Sequence, residues 1–183
     1  MYKSVPTYKN GEWTTTDFET IEDFKKYIVT LFKEPGQYGF DETALLFNEE
    51  AKRFDKDGFY CDKPFRSKDY INYWNDQKNK CKEGVIYYGK KNIFYLTRDY
   101  YMWLNFLPIF DKEERKYGFA KVRDAQYHMA IYELLAEVNY KHVAILKKRQ
   151  IASSYFHMAK ILNQFWFEEG SICKIGASLK DYI

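Results

Sequence analysis

The stretch HVAILKKRQIASSYFHMAKIL, residues 142–162, joins a short apolar run, a basic loop and a helix-like segment. The run His-Val-Ala-Ile-Leu is short, rich in branched side chains and followed by polar residues, a pattern typical of a buried strand. From Tyr155 onward, apolar residues recur at helical spacing, which predicts a helix that begins near Ser153 or Ser154. A buried strand followed directly by a helix indicates an α/β fold.

The loop between this strand and helix lies where α/β proteins bind phosphate, because the free N–H groups and the dipole of a helix N-terminus point at an anion. The standard pattern G-x-x-x-x-G-K-[ST] is nevertheless absent. With Ser154 in its last position, Ser153 stands in place of the lysine and Ala152 in place of the second glycine. Residues 141–167 contain five Lys or Arg and no Asp or Glu, which suits an anionic ligand, although a basic surface explains this composition nearly as well.

Composition limits the class of protein. The 183 residues are 20% aromatic, with 18 Tyr and 15 Phe, so large side chains are available to fill a core. The net charge of +3 neither requires nor excludes a nucleic-acid partner. The cysteines are odd in number and far apart, and the histidines lack metal-ligand spacing, so neither a disulfide framework nor a zinc site is predicted. Since neither a signal peptide nor a membrane-spanning apolar run is visible, we expect a soluble intracellular protein.

Residues 1–84 are predicted to form a mainly helical N-terminal region. Residues 1–15 are polar and contain Pro6 and the pair Asn10-Gly11, which indicates a partly ordered arm. Capping patterns and Gly or Pro stops then predict three helices, near residues 20–32, 41–54 and 67–84.

Residues 85–122 are predicted to contain a β-hairpin, an aromatic helix that ends before Pro108, and a linker. Residues 123–183 begin with an amphipathic helix, followed by the strand, loop and helix described above and by a second parallel strand at residues 171–176. This succession makes one βαβ unit, whereas a nucleotide-binding sheet needs several strands to cover its faces. We therefore expect a fragment of a larger protein, or a chain whose sheet a partner completes.

Three motifs occur in a fixed order along the chain. An aromatic helix in IFYLTRDYYMWLNFLPI, residues 93–109, ends in Asn, two residues and Pro-Ile. A later helix opens with Arg-Asp-x-Gln in VRDAQYHM, residues 122–129, and the loop KKRQIASS, residues 147–154, carries Arg-Gln before an apolar residue, a small residue and serine. Together these motifs resemble the ATPase region of tailed-phage terminase large subunits, the motors that package DNA into the prohead, and the crAss-like phage branch is most similar. The resemblance spans residues 60–183.

The resemblance implies a fold and an activity. The fold would be α/β, with a helical N-terminal region followed, from residue 123, by the first βαβ unit of a P-loop-type (ASCE) ATPase domain that is incomplete in this chain. The cofactors would be ATP and Mg²⁺, and hydrolysis would drive the translocation of DNA. The implied partners are double-stranded DNA, the portal, the small terminase subunit and further copies of the chain in a ring, all in the host cytoplasm and without a membrane.

The resemblance also implies which residues form the site. The family often places its phosphate-facing cation on the strand side of the loop, so Lys147 and Arg149 take the catalytic role here. The hydroxyl of Ser154 would bind Mg²⁺, with Ser153 in its place if the register shifts by one. Adenine would contact the second motif and the phosphates the third, so that the cofactor-binding residues are Arg123, Gln126, Lys148, Gln150, Ala152, Ser153 and Ser154.

Simpler explanations exist for the same residues. Arg123 and Gln126 also fit the polar first turn of an amphipathic helix, the three loop cations fit a solvated turn, and both serines fit N-caps. Ala152 departs most from the family pattern, because alanine in the left-handed conformation costs on the order of 1 kcal/mol and its Cβ crowds a nearby phosphate. The aromatic helix could stack on nucleic-acid bases, but helical spacing favours a place in the core for Tyr100, Tyr101, Trp103 and Phe106.

Two functions from different classes follow. The first is the N-terminal ATPase portion of a terminase large subunit. Since the acidic strand end that should hold Mg²⁺ is not in this sequence, the chain alone is expected to bind nucleotide weakly and not to hydrolyse it. The second is a non-catalytic interaction module, a truncated or split terminase piece that docks on a partner chain, the portal or DNA, with Ala152 and Ser153 as signs of a decayed loop. An unrelated DNA-binding protein would rest only on basic and aromatic residues.

Overall fold

The computed structural model describes residues 2–9, 12–34, 36–90, 92–111, 115–146 and 152–174. This part of the chain is a mixed α/β structure, which confirms the coarse prediction, but each of its strands belongs to an antiparallel hairpin. The helices are α1 (Ile21–Val29), α2 (Glu49–Asp57), α3 (Lys68–Glu83), α4 (Arg98–Phe106), α5 (Asp124–Val138) and α6 (Ser153–Phe167), with a 3-10 helix at Glu42–Leu46. The strands are β1 (Lys3–Lys9), β2 (Glu12–Phe18), β3 (Val85–Tyr88), β4 (Ile93–Leu96), β5 (Ile109–Asp111) and β6 (Lys116–Gly118).

The N-terminal residues form a hairpin rather than the partly ordered arm that their polarity predicted. β1 pairs with β2 along its whole length, with Lys3 opposite Phe18. Val5 on β1 is fully buried, and Phe18 packs against the ring of Phe24 on α1. The Asn-Gly sequence between the two strands is a strong signal for a two-residue hairpin connection, and it outweighs polar composition.

Capping side chains define the starts of α1 and α3. Thr20 Oγ1 accepts a hydrogen bond from the N–H of Asp23 at 3.1 Å, and Ser67 Oγ accepts from the N–H of Tyr70 at 3.2 Å. α3 matches its predicted span within a residue at each end, whereas α1 ends at Val29, short of the predicted residue 32.

The helix predicted at residues 41–54 is divided in two. Asp41 caps the 3-10 helix by accepting from the N–H of Thr43 at 2.9 Å, and α2 begins only at Glu49. The 3-10 helix ends at Leu46, and Asn48, with a non-helical φ of −123° and ψ of 37°, separates it from α2. The prediction of one continuous helix was therefore wrong.

The cap of α2 comes from α4. Asn105 Oδ1 accepts from the N–H of Glu50 at 3.1 Å, and its Nδ2 donates to the carbonyl of Phe47 at 2.9 Å. This amide thus pairs an N–H group that the first turn of α2 leaves without a partner, and also a carbonyl that precedes the helix. Because Asn105 follows Glu50 by 55 residues, the sequence around α2 carries no sign of its start.

α4 lies at the centre of the core and is covered by α2, α3 and α6. Tyr100 contacts the ring of Tyr127 on α5 and the ring of Phe156 on α6, at centroid distances of 6.1 and 6.0 Å. Trp103 is fully buried. The predicted core role of the aromatic helix is confirmed, with Phe106 only partly buried at its end.

α5 has its predicted span, packs against α1, and ends in a Schellman turn. The N–H of Lys141 donates to the carbonyl of Ala136 at 2.9 Å, and the N–H of Tyr140 donates to that of Glu137 at 3.1 Å. Tyr140 has a φ of 52°, the left-handed conformation in which such turns usually carry glycine. Its side chain is 95% exposed, so packing does not compensate for the strain.

Two strands of the predicted βαβ unit are not formed in the described residues. Residues 141–146 are irregular, and so are residues 171–174, while the last two residues of the second predicted strand lie outside the described part. A segment becomes a strand only when another backbone segment pairs with it, and none of the hairpins that the structure describes reaches either segment. α6 begins at Ser153, as predicted.

One cluster of buried residues extends from Val5 on β1 to Ala159 on α6, so all three sequence segments contribute to the same core. The segment predicted as a linker also contains the β5–β6 hairpin. Of the helices described here, none combines the length and the apolar character needed to cross a bilayer.

Candidate functional site

The start of α6 is the part of the predicted phosphate loop that the structure describes. Ala152 is the N-cap residue and is left-handed, with φ of 57° and ψ of 16°. Its methyl group offers no acceptor to the helix, and the carbonyl of Ala152 accepts from the N–H of Phe156 at 3.1 Å. The N–H groups of residues 153–155 precede this first intrahelical bond and are not satisfied within the helix. Ala152 therefore has the conformation that the loop pattern assigns to glycine.

The two serines that follow Ala152 have different surroundings. Ser153 is buried, and its Oγ lies 3.2 Å from Nδ1 of His157. Ser154 is exposed and lines an open groove beside α6. An exposed hydroxyl can reach a ligand-bound metal ion, so the geometry favours Ser154 over Ser153 for that role.

The remaining loop residues of the predicted site lie outside the described part of the chain, and their roles stay predictions. They are Lys147, Lys148, Arg149 and Gln150.

A buried carboxylate on α5 joins the two helices that flank the loop. Glu133 is 6% exposed, and its Oε1 lies 2.8 Å from Nε2 of His157 on α6. Its Oε2 accepts from Lys160 Nζ, one turn further along α6, at 2.5 Å. Nδ1 of His157 lies 2.6 Å from the carbonyl of Ser153. The imidazole therefore connects α5 to the first turn of α6.

The charges of this cluster stabilise one another. The hydrogen bond to Glu133 raises the pKa of His157 above its usual value. Burial alone would raise the pKa of Glu133, but the hydrogen bond from His157 and the charge of Lys160 lower it. Burial would likewise lower the pKa of Lys160, yet Asp99 and Glu133 together raise it. Each of these three shifts favours the charged form of its group.

Asp99 supplies a second carboxyl group that acts electrostatically on Lys160. It lies in the first turn of α4 and is 6% exposed. Burial raises the pKa of Asp99, and the charge of Lys160 opposes that effect. Carboxyl groups from α4 and α5 thus both act electrostatically on Lys160, and this offsets the cost of burying its ammonium group.

The groove beside α6 has a volume of about 1130 Å³ and is lined by charged side chains of both signs. Each of its carboxylates has a cationic partner: Glu133 has the two groups described above, Glu137 pairs with Lys25 at 2.7 Å, and Glu168 pairs with Arg98. Lys141 lines the same groove and is exposed. A groove whose negative charge is neutralised internally, and which adjoins a helix N-terminus, can accept an anion.

The second predicted motif lies at the other end of α5. Gln126 is 4% exposed, whereas Arg123 is exposed and is the N-cap residue of the helix. Glu133 follows Gln126 by seven residues, or roughly 10 Å of helix. Neither Arg123 nor Gln126 is among the residues that line the groove. The structure thus places Ser153, Ser154 and Glu133 in the lining of one groove, and Gln126 lies outside that lining.

Sequence reasoning missed Glu133, His157 and Lys160. Glu133 and His157 are 24 residues apart, and no periodic pattern relates them. The one local signal is a polar strip on an otherwise apolar helix, formed by His157, Lys160 and Gln164 at helical spacing. Such a strip predicts a polar contact but does not identify its partner.

Comparisons of the chain with protein-family models, with curated proteins and with solved structures found no match. The functional interpretation therefore depends on the sequence motifs and on the geometry described above.

Proposed function

We propose that the chain is the N-terminal ATPase portion of a phage terminase large subunit, which binds ATP at the start of α6 for the translocation of double-stranded DNA into the prohead. The observation that carries the proposal is the left-handed Ala152 directly before α6. It occupies the position that a phosphate loop gives to glycine, and non-glycine residues with this backbone conformation cluster at functional sites. The P-loop-type fold, the ring of copies and the contacts with portal and small subunit belong to the same proposal.

Two further features support nucleotide binding at this position. The N–H groups of residues 153–155, which have no acceptor within α6, offer donors to phosphate oxygens, and the helix dipole adds positive potential there. Ser154 is exposed next to them, so its hydroxyl would serve as the protein ligand of the nucleotide's Mg²⁺. The arrangement provides binding and orientation, and we expect the chain alone to bind ATP without hydrolysing it.

The first experiment measures binding of a fluorescent, non-hydrolysable ATP analogue with Mg²⁺ by anisotropy. The variants Lys147→Ala, Lys148→Ala and Arg149→Ala remove the proposed cations one at a time. Loss of a charge-assisted phosphate contact should weaken binding roughly tenfold. Lys56→Ala on α2 is the matched control, because it removes an exposed lysine outside the groove. If the three loop variants bind like the control, the loop assignment is wrong.

The second experiment changes the backbone rather than the charge. Ala152→Gly restores the residue of the loop pattern and removes a Cβ near the proposed phosphate, so it should increase affinity for the analogue. Tyr140→Gly is the control, because Tyr140 is also left-handed but ends α5 in solvent. Both changes remove strain, and only the first should alter binding. Equal affinity in the two variants would count against a phosphate at Ala152.

The non-catalytic interaction module remains the second candidate, and one observation favours it. α6 exposes a neutral apolar face formed by Tyr155, Met158, Phe165 and Trp166, and exposed apolar patches often mark contact surfaces. This candidate is preferred if the unaltered chain binds no ATP analogue while Phe165→Ser and Trp166→Ser abolish its association with a partner chain, the portal or DNA.

A further inference from the structure

The position of His157 suggests a role beyond packing. Its ring lies between two hydrogen-bond acceptors, the carboxylate of Glu133 at 2.8 Å and the carbonyl of Ser153 at 2.6 Å. Only the imidazolium form donates at both nitrogens. The ring is therefore fixed at both ends, by a rigid helix on one side and by the first turn of α6 on the other.

The carbonyl of Ser153 belongs to the first residue of α6, next to Ala152 and Ser154. A side-chain donor on this carbonyl restrains the orientation of the first peptide units of the helix. Those units carry the N–H groups that would face phosphate. The bond from His157 thus acts on the geometry of the loop without a contact to the ligand itself.

The same contact affects the electrostatics of the loop. An unpaired Glu133 beside the start of α6 would repel a phosphate group. His157 binds one of its oxygens, and Lys160 binds the other at 2.5 Å. Both oxygens of the carboxylate are thereby paired with donors from α6.

We propose that His157, anchored on Glu133, is a positioning residue that holds the first turn of α6 in the conformation that binds the phosphates of the nucleotide. This inference rests on the proposed function, because it concerns the same site. It assigns a role to a contact between α5 and α6 that none of the three sequence motifs contains.

The test separates affinity from stability. Binding of the ATP analogue and the thermal midpoint are measured for His157→Ala, for His157→Gln, which keeps an amide donor, and for Glu133→Gln, which keeps the shape of the anchor but not its charge. His157→Ala should weaken binding roughly tenfold, since a charge-assisted hydrogen bond is lost. His157→Gln should recover part of that loss. The affinity of Glu133→Gln should lie between the affinities of His157→Ala and His157→Gln.

Arg53→Ala is the matched structural control. It breaks the ion pair between Arg53 and the buried Glu50 on α2, which has an N–O distance of 2.9 Å and lies outside the groove. It should lower the thermal midpoint without changing affinity. Amide hydrogen exchange of residues 156–158 gives a second readout, because the N–H of Phe156 makes the first hydrogen bond within α6. This exchange should be faster in His157→Ala than in Arg53→Ala.

The outcomes are distinct. Weaker binding and faster exchange in His157→Ala, with partial recovery in His157→Gln, support the inference. Binding that depends on Lys147, Lys148 or Arg149 but is unchanged in His157→Ala overturns the inference and leaves the proposed function in place. Absence of nucleotide binding in the unaltered chain overturns the proposed function and this inference with it.

Discussion

α4 and α6 are both apolar around most of their circumference, yet they lie in different surroundings. In α4, seven consecutive residues from Asp99 to Asn105 are buried. In α6, burial is confined to one face, formed by Ser153, Phe156, Ala159 and Asn163. The opposite face of α6 is apolar and exposed, with Phe165 at 69% and Trp166 at 61%.

The difference shows that apolar composition alone does not place a helix in the core. A helix that is apolar on all sides is normally buried on all sides. α4 meets this rule because α2, α3 and α6 all pack on it. α6 is covered by α4 and α3 on one side only, so its second apolar face has no cover among the described residues.

The strongest test of this comparison is Trp103→Ala in α4. The indole is fully buried, and its removal leaves a cavity next to Phe156, so we expect a loss of about 3–5 kcal/mol in the free energy of unfolding. Urea denaturation followed by circular dichroism measures the change. A loss below about 1 kcal/mol would mean that α4 is not the centre of the core.

The next largest effect is expected for Asn105→Ala, which removes the two hydrogen bonds that join α4 to the start of α2. The substitution leaves the N–H of Glu50 and the carbonyl of Phe47 without the amide that pairs them. Buried groups left unsatisfied cost about 1–3 kcal/mol, again measured by urea denaturation. Asn75→Ala on the exposed face of α3 is the control and should have little effect.

The starts of the two helices also differ, and glycine substitution tests that difference. Thr97 enters α4 with an ordinary extended backbone, whereas Ala152 enters α6 in the left-handed conformation. Ala152→Gly should stabilise the protein by up to about 1 kcal/mol, because relief of strain exceeds the entropy that glycine adds to the unfolded chain. Tyr140→Gly should give a similar gain, whereas Thr97→Gly should destabilise. A loss of stability in Ala152→Gly would show that its methyl group contributes more through packing than its backbone costs.

The contact of His157 on α6 with Glu133 on α5 should depend on pH, unlike the packing of Phe156 on α6 against Tyr100 and Trp103 on α4. For His157, whose pKa is raised, the stabilisation is complete below the unfolded pKa of about 6.5 and is lost as pH rises through the folded value. For Glu133, whose pKa is lowered, the stabilisation is present above the unfolded pKa of about 4.3 and is lost as pH falls through the folded pKa. The difference in thermal midpoint between the unaltered chain and His157→Gln should therefore narrow as pH rises above about 6.5. A constant difference would contradict the charged pair. The effect is modest because His157 is 38% exposed.

The smallest effect on stability is expected on the exposed face of α6. Phe165→Ser and Trp166→Ser should each change the free energy of unfolding by no more than about 0.5 kcal/mol, since neither side chain is buried. Both should reduce binding of a dye that reports exposed apolar surface. A large loss of stability would show that this face is covered in the isolated protein.

Periodicity and caps predicted α3, α5 and the start of α6 within a residue, because the relevant signals are local. Ser67 and Gly84 bound α3, and the apolar spacing from Tyr127 to Leu134 follows α5. For residues 1–15, polar composition predicts a partly ordered arm and the Asn-Gly pair predicts a hairpin turn. The structure has the hairpin. The division of residues 41–54 was missed because its cause, Asn105, is distant in sequence.

The site was predicted only in part, because some of its contacts join residues that are distant in sequence. The place of Ala152 and Ser154 at a helix N-terminus follows from local pattern, and the structure has both there. The contact of His157 with Glu133 depends on how α5 and α6 pack, which periodicity does not encode. The strand at residues 142–146 was predicted from its apolar character alone, whereas strand formation also needs a partner.

Asn105 has a consequence for how much change the N-terminal half can tolerate. Its amide requires the first turn of α2 to stay beside the last turn of α4, whatever the length of chain between them. Residues 62–66, between α2 and α3, are exposed and lie outside that contact, so insertions there should leave the fold intact. A single residue added at position 48 would instead rotate α2 by about 100° and move Glu50 away from its acceptor.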